Sequence, residues 1–167
     1  MTQVVLGLGS NVSRRTHLRC ALAGLKALGP LDISPIVESD PVGYSSASRF
    51  YNLVVGFHTN IAVEQVIQLC KRLEREAGRS PDEPRFSPKT LDVDILLWND
   101  DAPPEALSRR LPHPDILQHA HVLCPLALLY PDHRHPTQGQ TYQTLWEARR
   151  AAFPKVIILP NTLLLGE

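Results

Sequence analysis

Two amphipathic helical stripes, set between short apolar runs, constrain the fold of this chain more than any other feature of its sequence. Apolar side chains recur at steps of three and four over residues 18–28 and again over 63–73, a spacing that predicts one helix in each segment. The first stripe follows Ser13, a candidate N-cap, and stops at Gly29 and Pro30. Each helix therefore has one apolar face to bury, and the strands around it are the available partners.

Short β-branched and aromatic runs predict the strands between and around these helices. Turn residues follow the first run in GLGSN, residues 7–11, and Pro35 interrupts the second run, which favours an irregular edge strand. The resulting order predicts an α+β fold, a ferredoxin-like β-α-β-β-α-β sandwich with a C-terminal helix/strand extension, in one domain over residues 1–167. The predicted strands are 3–8, 33–37, 50–59, 91–98 and 155–159, and a Pro- and His-rich connection leads from the fourth strand to a helix over 141–152.

Charge and cysteine content exclude several classes of protein. Seventeen basic and seventeen acidic residues cancel without a long basic run, so the broad positive field of a nucleic-acid or membrane-surface binder is missing. The start has no signal-peptide pattern, and no window approaches the roughly 18 apolar residues of a membrane span. Cys20, Cys70 and Cys124 lack CxxC spacing, which favours buried free thiols in a reducing compartment. We expect a cytoplasmic protein that acts on small molecules, with a monomer favoured.

Two aspartates alternate along the predicted strand 91–98. Because successive side chains of a strand point to opposite faces, Asp92 and Asp94 share one face, about 6 to 7 Å apart, while Leu91, Val93 and Ile95 point into the core. Magnesium prefers hard oxygen ligands, often one or two carboxylates completed by water and substrate phosphates. The solvated face of an amphipathic strand has the same pattern, so the pair does not decide the matter by itself.

A long loop with three prolines precedes the aspartates. It carries Arg79, Arg85 and Lys89, whose charges suit phosphate oxygens, and its lack of periodicity is typical of a lid over a site. An ordinary solvated loop has a similar composition. The GLGSN segment lacks the GxxxxGK[ST] and GxGxxG patterns of phosphate loops, so a structural turn is favoured there.

Five segments together resemble one enzyme family. GLGSN, FYNLVV, the loop beginning at Arg79, KTLDVDILLW and LPHPDILQHAHVLCPL occur in the order and spacing of the hydroxymethyl-dihydropterin pyrophosphokinase family, over about residues 3 to 135. The resemblance implies transfer of the diphosphoryl group of ATP to the hydroxymethyl group of 6-hydroxymethyl-7,8-dihydropterin. The products are AMP and the pterin diphosphate of folate biosynthesis, and two magnesium ions assist.

The resemblance also implies roles for individual residues. Asp92 and Asp94 would bind both metal ions, and Arg79 and Lys89 would contact phosphate. The positions that the family uses around ATP are Glu74, Ile95, His113 and His119. Those that it uses around the pterin are Ser39, Pro41, Val42, Gly43, Phe50, Asn52 and His121.

Several of these positions depart from the family pattern. Lysine stands at Lys89 and histidine at His119 where arginine is usual, and His121 replaces a stacking aromatic residue. On the lid, Pro81 and Phe86 replace a common arginine and tryptophan. The departures leave open a divergent paralogue that acts on another pterin, or that binds pterin or nucleotide without turnover.

The residue types alone also permit a transition-metal site or a purely structural role. A group of histidines has spacing that can ligate zinc or another transition metal. A structural role is less favoured, because a bare scaffold has no reason to combine a carboxylate pair with a cationic loop. The histidines concerned are His113, His119, His121, His133 and His135.

Overall fold

The computed structural model describes residues 1–43, 48–80, 82–84, 87–100, 105 and 110–165 of the chain. Within these ranges a six-stranded sheet lies between two layers of helices. The strands are β1 (Thr2–Ser10), β2 (Asp32–Ile33), β3 (Ile36–Ser39), β4 (Phe50–Thr59), β5 (Asp92–Asn99) and β6 (Ile157–Leu159). The helices are α1 (Arg14–Leu25), α2 (Val63–Glu76), α3 (Asp115–Gln118), α4 (Ala120–Leu129), α5 (Tyr142–Arg149) and α6 (Thr162–Leu165), and single 3₁₀ turns follow α1 (Lys26–Leu28) and α5 (Arg150–Ala152).

The order of strands places β1 inside the sheet, between β5 and β4. The order is β5-β1-β4-β3-β6, each of these pairings is antiparallel, and β2 also pairs with β4. Pro35 separates β2 from β3, as expected for a residue that has no N–H to donate to a ladder. With β2 and β3 taken as one interrupted strand, the predicted α+β fold of ferredoxin-like order is confirmed, and β6 extends it at the edge.

The first face of the sheet carries the two helices that the sequence stripes predicted. Their apolar faces pack on alternate residues of β1, β4 and β5, which leaves their polar faces to solvent. The core of this face is fully buried and contains Leu18, Leu22, Leu25, Val66, Cys70, Leu73, Val4, Leu6, Leu53 and Val55.

The second face is covered by α4 and α5, of which the sequence pattern predicted only α5. The segment after β5, predicted to be a connection, contains α3 and α4, and α4 packs with α5 on the sheet. Seven of the ten residues of α4 are buried, including Pro125, so the helix has no polar face and therefore no amphipathic period to detect. The sheet therefore has helices on both of its faces.

Smaller expectations also require correction. The strand β1 continues through Ser10, so most of GLGSN is strand and not turn. Ser13 is the N-cap residue of α1 but has a left-handed backbone, with φ of 46°, and makes no side-chain capping hydrogen bond. Cys20 is exposed, unlike Cys70 and Cys124, and all three cysteines are free. No helix among the described residues has the length and apolar character needed to cross a membrane.

A close approach between Gly56 and Tyr130 joins the sheet to the end of α4. A Cβ atom at Gly56 would lie 1.8 Å from the Tyr130 hydroxyl, which donates a hydrogen bond to Asp32 Oδ2 at 2.7 Å. Gly56→Ala is therefore expected to lower the free energy of unfolding by about 1 to 3 kcal/mol, because the ring is anchored and cannot move aside freely. Urea denaturation measures the change. In a Tyr130→Ala background the same substitution should have a smaller effect, and an equal effect in both backgrounds would show that the clash is not the cause.

Candidate active site

A cleft of about 460 Å³ opens on the second face of the sheet, between β1, β4 and β5 and the start of α4. Its floor is the end of β1. Gly9 pairs with Asn52 on one side and with Asp92 on the other, and Gly7 pairs with Asp94. A Cβ atom at Gly9 would lie 3.0 Å from Asn52 Oδ1, so glycine leaves the room in which the polar side chains from both neighbouring strands meet.

Asp92 is held by an arginine at the mouth of the cleft. Arg79 donates from Nη1 to Asp92 Oδ1 at 2.7 Å and also forms an ion pair with Glu74. Glu74 Oε2 in turn accepts a hydrogen bond from the Val93 backbone N–H at 3.1 Å. Burial opposes the charge on Arg79, yet its bond to Asp92 and the surrounding carboxylates outweigh burial and raise its pKa. Glu74 is not among the described residues that line the cleft. It therefore holds Arg79 in position from outside the cleft, through their ion pair.

Asp94 lies deeper, in a strongly acidic environment. Burial is the largest effect and, with the negative charges of Asp92, Asp115 and Glu74, it raises the pKa of Asp94 to about 7. Arg79 acts in the opposite direction but is the smallest of these influences. The ionised carboxylate is thus poorly compensated, which is the situation that a bound divalent cation would relieve.

A third carboxylate of the cleft, Asp115, was not predicted from the sequence. One ligand atom each from Asp94, His113 and Asp115 lies within 4.8 Å of the others. His113 also accepts at Nδ1 a hydrogen bond from the Asp115 backbone N–H at 3.1 Å, and its own backbone N–H donates to the Leu96 carbonyl at 3.0 Å. The signal for Asp115 was present in LPHPDI, but nothing in its spacing tied it to the strand pair.

The raised pKa of Asp94 gives a prediction for the ligand-free protein. A carboxyl group with a higher pKa in the folded chain than in the unfolded one holds its extra proton only when folded, so stability falls as pH rises from about 4 to about 7. Asp94→Asn removes this dependence and is expected to raise the free energy of unfolding at pH 8 by roughly 1 kcal/mol or more. Denaturation without magnesium at pH 5 to 8 tests this. Asp132→Asn, at an exposed turn, is the matched control, and equal pH profiles for both variants would contradict the prediction.

Lys89 points its ammonium group into its own loop. The side chain is 8% exposed, and Nζ donates to the Pro84 carbonyl at 2.7 Å and to Ser87 Oγ at 3.0 Å. It also lies 3.5 Å from Glu83 Oε2. Lys89 lines the cleft, but in this structure its ammonium group is hydrogen-bonded to Pro84 and Ser87 of the same loop.

Asn52 is fixed on the opposite side of the floor. It is 7% exposed, and Nδ2 donates to Ser39 Oγ at 2.8 Å and to the Val37 carbonyl at 3.2 Å. Ser39 and Asn52 line the cleft together with Val42 and Phe50. Both amide donor contacts go to the neighbouring strand β3, so Asn52 Oδ1 faces Gly9 with a fixed orientation.

Two histidines at the start of α4 form a stacked pair in the cleft wall. The rings of His119 and His121 lie 5.0 Å apart with an interplanar angle of 19°. Burial and the neighbouring His119 lower the pKa of His121 to about 4, so its ring is neutral at physiological pH. His119 Nε2 lies 3.7 Å from Asp115 Oδ1.

Not every residue that the resemblance implied lies in the cleft wall. Among the described residues, Ile95, Pro41 and Gly43 do not line the cleft, and Ile95 packs against the core of the first face. Their roles in ligand binding stay predictions. Pro81, Arg85 and Phe86 of the predicted lid lie outside the described residues.

The five histidines considered for zinc do not come together. His133 stacks on Tyr130 at 4.6 Å, and His135 is buried where its Nδ1 accepts a hydrogen bond from the Thr137 N–H at 3.2 Å. Over the part of the chain that the structure describes, the one group of three metal-ligand candidates contains a single histidine.

Comparison with known proteins gives consistent matches. The sequence model of one family, described as 7,8-dihydro-6-hydroxymethylpterin-pyrophosphokinase (HPPK), matches residues 5–131. The chain is 39% identical over 127 residues to a 2-amino-4-hydroxy-6-hydroxymethyldihydropteridine pyrophosphokinase of Bacillus subtilis, covering 73% of this chain and 74% of the relative. A relative of the same name from Pseudomonas aeruginosa is 36% identical, with 80% and 84% covered.

Solved structures agree on the fold. A Plasmodium falciparum HPPK-DHPS triple mutant with pteroate matches with a TM-score of 0.67 and 16% identity, over 90% of this chain and 44% of that chain. The present chain thus spans less than half of that longer protein. At this identity the likeness concerns the fold alone.

Proposed function

We infer, from the fact that this chain belongs to the 7,8-dihydro-6-hydroxymethylpterin-pyrophosphokinase family, that its cleft transfers a diphosphoryl group from ATP to 6-hydroxymethyl-7,8-dihydropterin. The products are AMP and the pterin diphosphate, an intermediate of folate biosynthesis. The observation that carries the inference is the pairing of one glycine with two functional residues. Gly9 has Asn52 on one side and Asp92 on the other, so a pterin-binding amide and a metal-binding carboxylate face the same floor.

The metal expected at this floor is magnesium, as two ions. The donor set fits, since the carboxylates of Asp92, Asp94 and Asp115 line one cleft and supply the hard oxygen ligands that magnesium prefers. The charge of Asp94 is poorly compensated by the protein, as its raised pKa indicates. When bound, magnesium neutralises charge on the phosphate oxygens. Asp92 and Asp94 would hold it, and Arg79 is placed to contact phosphate once a cation competes for Asp92.

The chain's own contribution to the reaction is positioning and charge. Phosphoryl transfer needs in-line placement of the attacking oxygen and neutralisation of the phosphate, more than covalent help from the protein. Asn52, locked by Ser39, would orient the flat polar edge of the pterin, and Phe50 would cover one of its faces. Arg79, which lies at Asp92, would supply positive charge, and Lys89 would add to it once its Nζ leaves the Pro84 carbonyl and Ser87 Oγ.

The histidine at the second stacking position fits a neutral heterocycle. Because His121 is uncharged at physiological pH, it offers a flat π surface, as the aromatic residue usual in the family does. His121→Phe is therefore expected to keep the KM for the pterin within about threefold, whereas His121→Ala should raise it about tenfold through loss of the stack. Steady-state kinetics at saturating ATP measure both. A large increase in KM for the phenylalanine variant would show that the imidazole nitrogens are required.

The position of the label in the products tests the proposed reaction. The protein is incubated with magnesium, the pterin and ATP labelled in its β-phosphate, and the products are separated by chromatography. Transfer of a diphosphoryl group moves the label into the pterin product and leaves unlabelled AMP in equal amount. Labelled ADP would instead indicate transfer of a single phosphate and contradict the proposal. ATP binding without any product would favour the divergent paralogue.

Two further properties belong to the same proposal. We expect the protein to act in the cytoplasm, because its three cysteines are free, and to be a monomer. Light scattering of the purified chain, whose calculated mass is 18.6 kDa, checks the second expectation.

A further inference from the structure

Two loops bound the cleft, and the side chain of Asn11 bonds to both. Asn11 Oδ1 accepts a hydrogen bond from the Lys89 backbone N–H at 2.8 Å, and the Asn11 backbone N–H donates to the Lys89 carbonyl at 3.0 Å. Asn11 Nδ2 donates to the Ser48 carbonyl at 3.2 Å. Its partners are 78 and 37 residues away along the chain. One carboxamide thus joins two segments that have no sequence proximity.

The location of Asn11 makes these bonds relevant to the site. The residue directly follows Ser10, the last residue of β1, and is 4% exposed. Lys89 lies three residues before Asp92, and Ser48 lies two residues before Phe50. The anchor is therefore the end of β1, a strand that is paired on both sides, and the two bonds end at Lys89 of the cleft wall and two residues before Phe50.

We propose that Asn11 is a positioning residue for diphosphoryl transfer, which holds the Lys89 segment and the segment entering at Phe50 at a fixed separation across Gly9. The proposal rests on the proposed function. An amide is the suitable group, because it presents one acceptor and two donors from the same carbon. A carboxylate keeps the acceptor but has no donor for the Ser48 carbonyl, and a methyl group keeps neither.

This difference allows the two side-chain hydrogen bonds of Asn11, to Lys89 and to Ser48, to be tested separately. Asn11→Asp retains an acceptor for the Lys89 N–H and places a negative oxygen against the Ser48 carbonyl. It should leave the KM for ATP within about threefold and raise the KM for the pterin about tenfold, the effect of losing one buried hydrogen bond. Asn11→Ala loses both side-chain hydrogen bonds, so it should raise the KM for ATP and the KM for the pterin about tenfold each and lower kcat as well.

Ser10→Ala is the matched control. Ser10 is equally buried at the neighbouring position, but its hydroxyl donates to the Val12 carbonyl at 3.2 Å, away from both loops. Its kinetic constants should stay near those of the wild type even if its melting temperature falls. Hydrogen exchange at the Lys89 amide gives a readout independent of turnover, with protection kept in Asn11→Asp and lost in Asn11→Ala.

The outcomes separate this proposal from the proposed function. Equal changes in both KM values for Asn11→Asp, or a loss in Ser10→Ala as large as in Asn11→Ala, would overturn the positioning role and indicate a general loss of stability. Unchanged protection of the Lys89 amide in Asn11→Ala would also overturn it. If the wild-type protein produced ADP, the proposed function would fail, while the exchange experiment would still decide whether Asn11 anchors the Lys89 segment.

Discussion

Asp94→Ala is expected to lower kcat for diphosphoryl transfer by roughly a thousandfold or more, because it removes a carboxylate from the floor where the metal ions are expected. The physical reason is the environment of this group: burial and three neighbouring carboxylates raise its pKa to about 7, so its charge calls for a cation. Isothermal titration with magnesium and a non-hydrolysable ATP analogue should show weakened metal-nucleotide binding. Steady-state turnover at saturating substrates gives kcat.

Two comparisons keep this result from being confused with unfolding. Asp94→Asn is expected to be more stable than the wild type at pH 8 and yet as inactive as Asp94→Ala, a combination that loss of structure cannot produce. Asp132→Ala, at an exposed turn, should retain full turnover. Activity of the Asp94→Asn protein above about a tenth of the wild-type rate would mean that Asp94 does not hold the metal.

Arg79→Ala is expected to have the second largest effect, a decrease of about a hundredfold or more in kcat/KM for ATP. Arg79 is the cation at the mouth of the cleft, and its removal also leaves Glu74 and Asp92 without their shared partner. Arg79→Lys should recover part of the activity, because it keeps the charge but loses the planar fork that grips two oxygens. Kinetics with ATP as the varied substrate measure both variants.

The structural contribution of Arg79 can be separated from the catalytic one. Glu74→Gln in the Arg79→Ala background removes one of the two unpaired charges, so it should recover stability but no activity. Arg72→Ala is the matched control, since Arg72 lies on the exposed side of α2 and pairs with Glu76 at 3.6 Å. If the double variant recovered turnover, Arg79 would act only by neutralising Glu74.

The ion pairs around Arg79 indicate how the cleft balances charge when its ligands are absent. The arginine that is expected to bind phosphate is bonded to the aspartate that is expected to bind metal, and Lys89 lies near Glu83. Each phosphate cation is thus stabilised by a carboxylate of the protein itself. A metal-nucleotide complex brings charges of both signs, so it can replace both kinds of partner without leaving a buried charge unpaired.

Local pattern was a good guide wherever an element had one polar and one apolar side. The helices α1 and α2 were predicted from an apolar periodicity of 3.6 residues, the strand over 50–59 from its run of β-branched and aromatic residues, and the interruption at Pro35 from the N–H that proline lacks. The helix α4 was missed, because its residues are apolar on nearly all sides, so it has no amphipathic periodicity, and because Pro125 argues against a helix. The strand position of Gly7 and Gly9 was also missed. In sequence they resemble a turn, whereas in the fold they belong to β1 and form the floor of the cleft.

By itself, the sequence determined the family, the order of strands and the presence of two aspartates on one face, since these depend on local spacing and on motifs in a fixed order. Tertiary structure alone decided that Asp115 lies beside Asp94, that Arg79 bonds to Asp92, and that Asn11 joins two loops. Each of these contacts depends on pairings between distant segments. The physical reason is that the charge, burial and hydrogen-bond partners of a group are properties of its neighbours in space, and those neighbours are set when the sheet forms across β1.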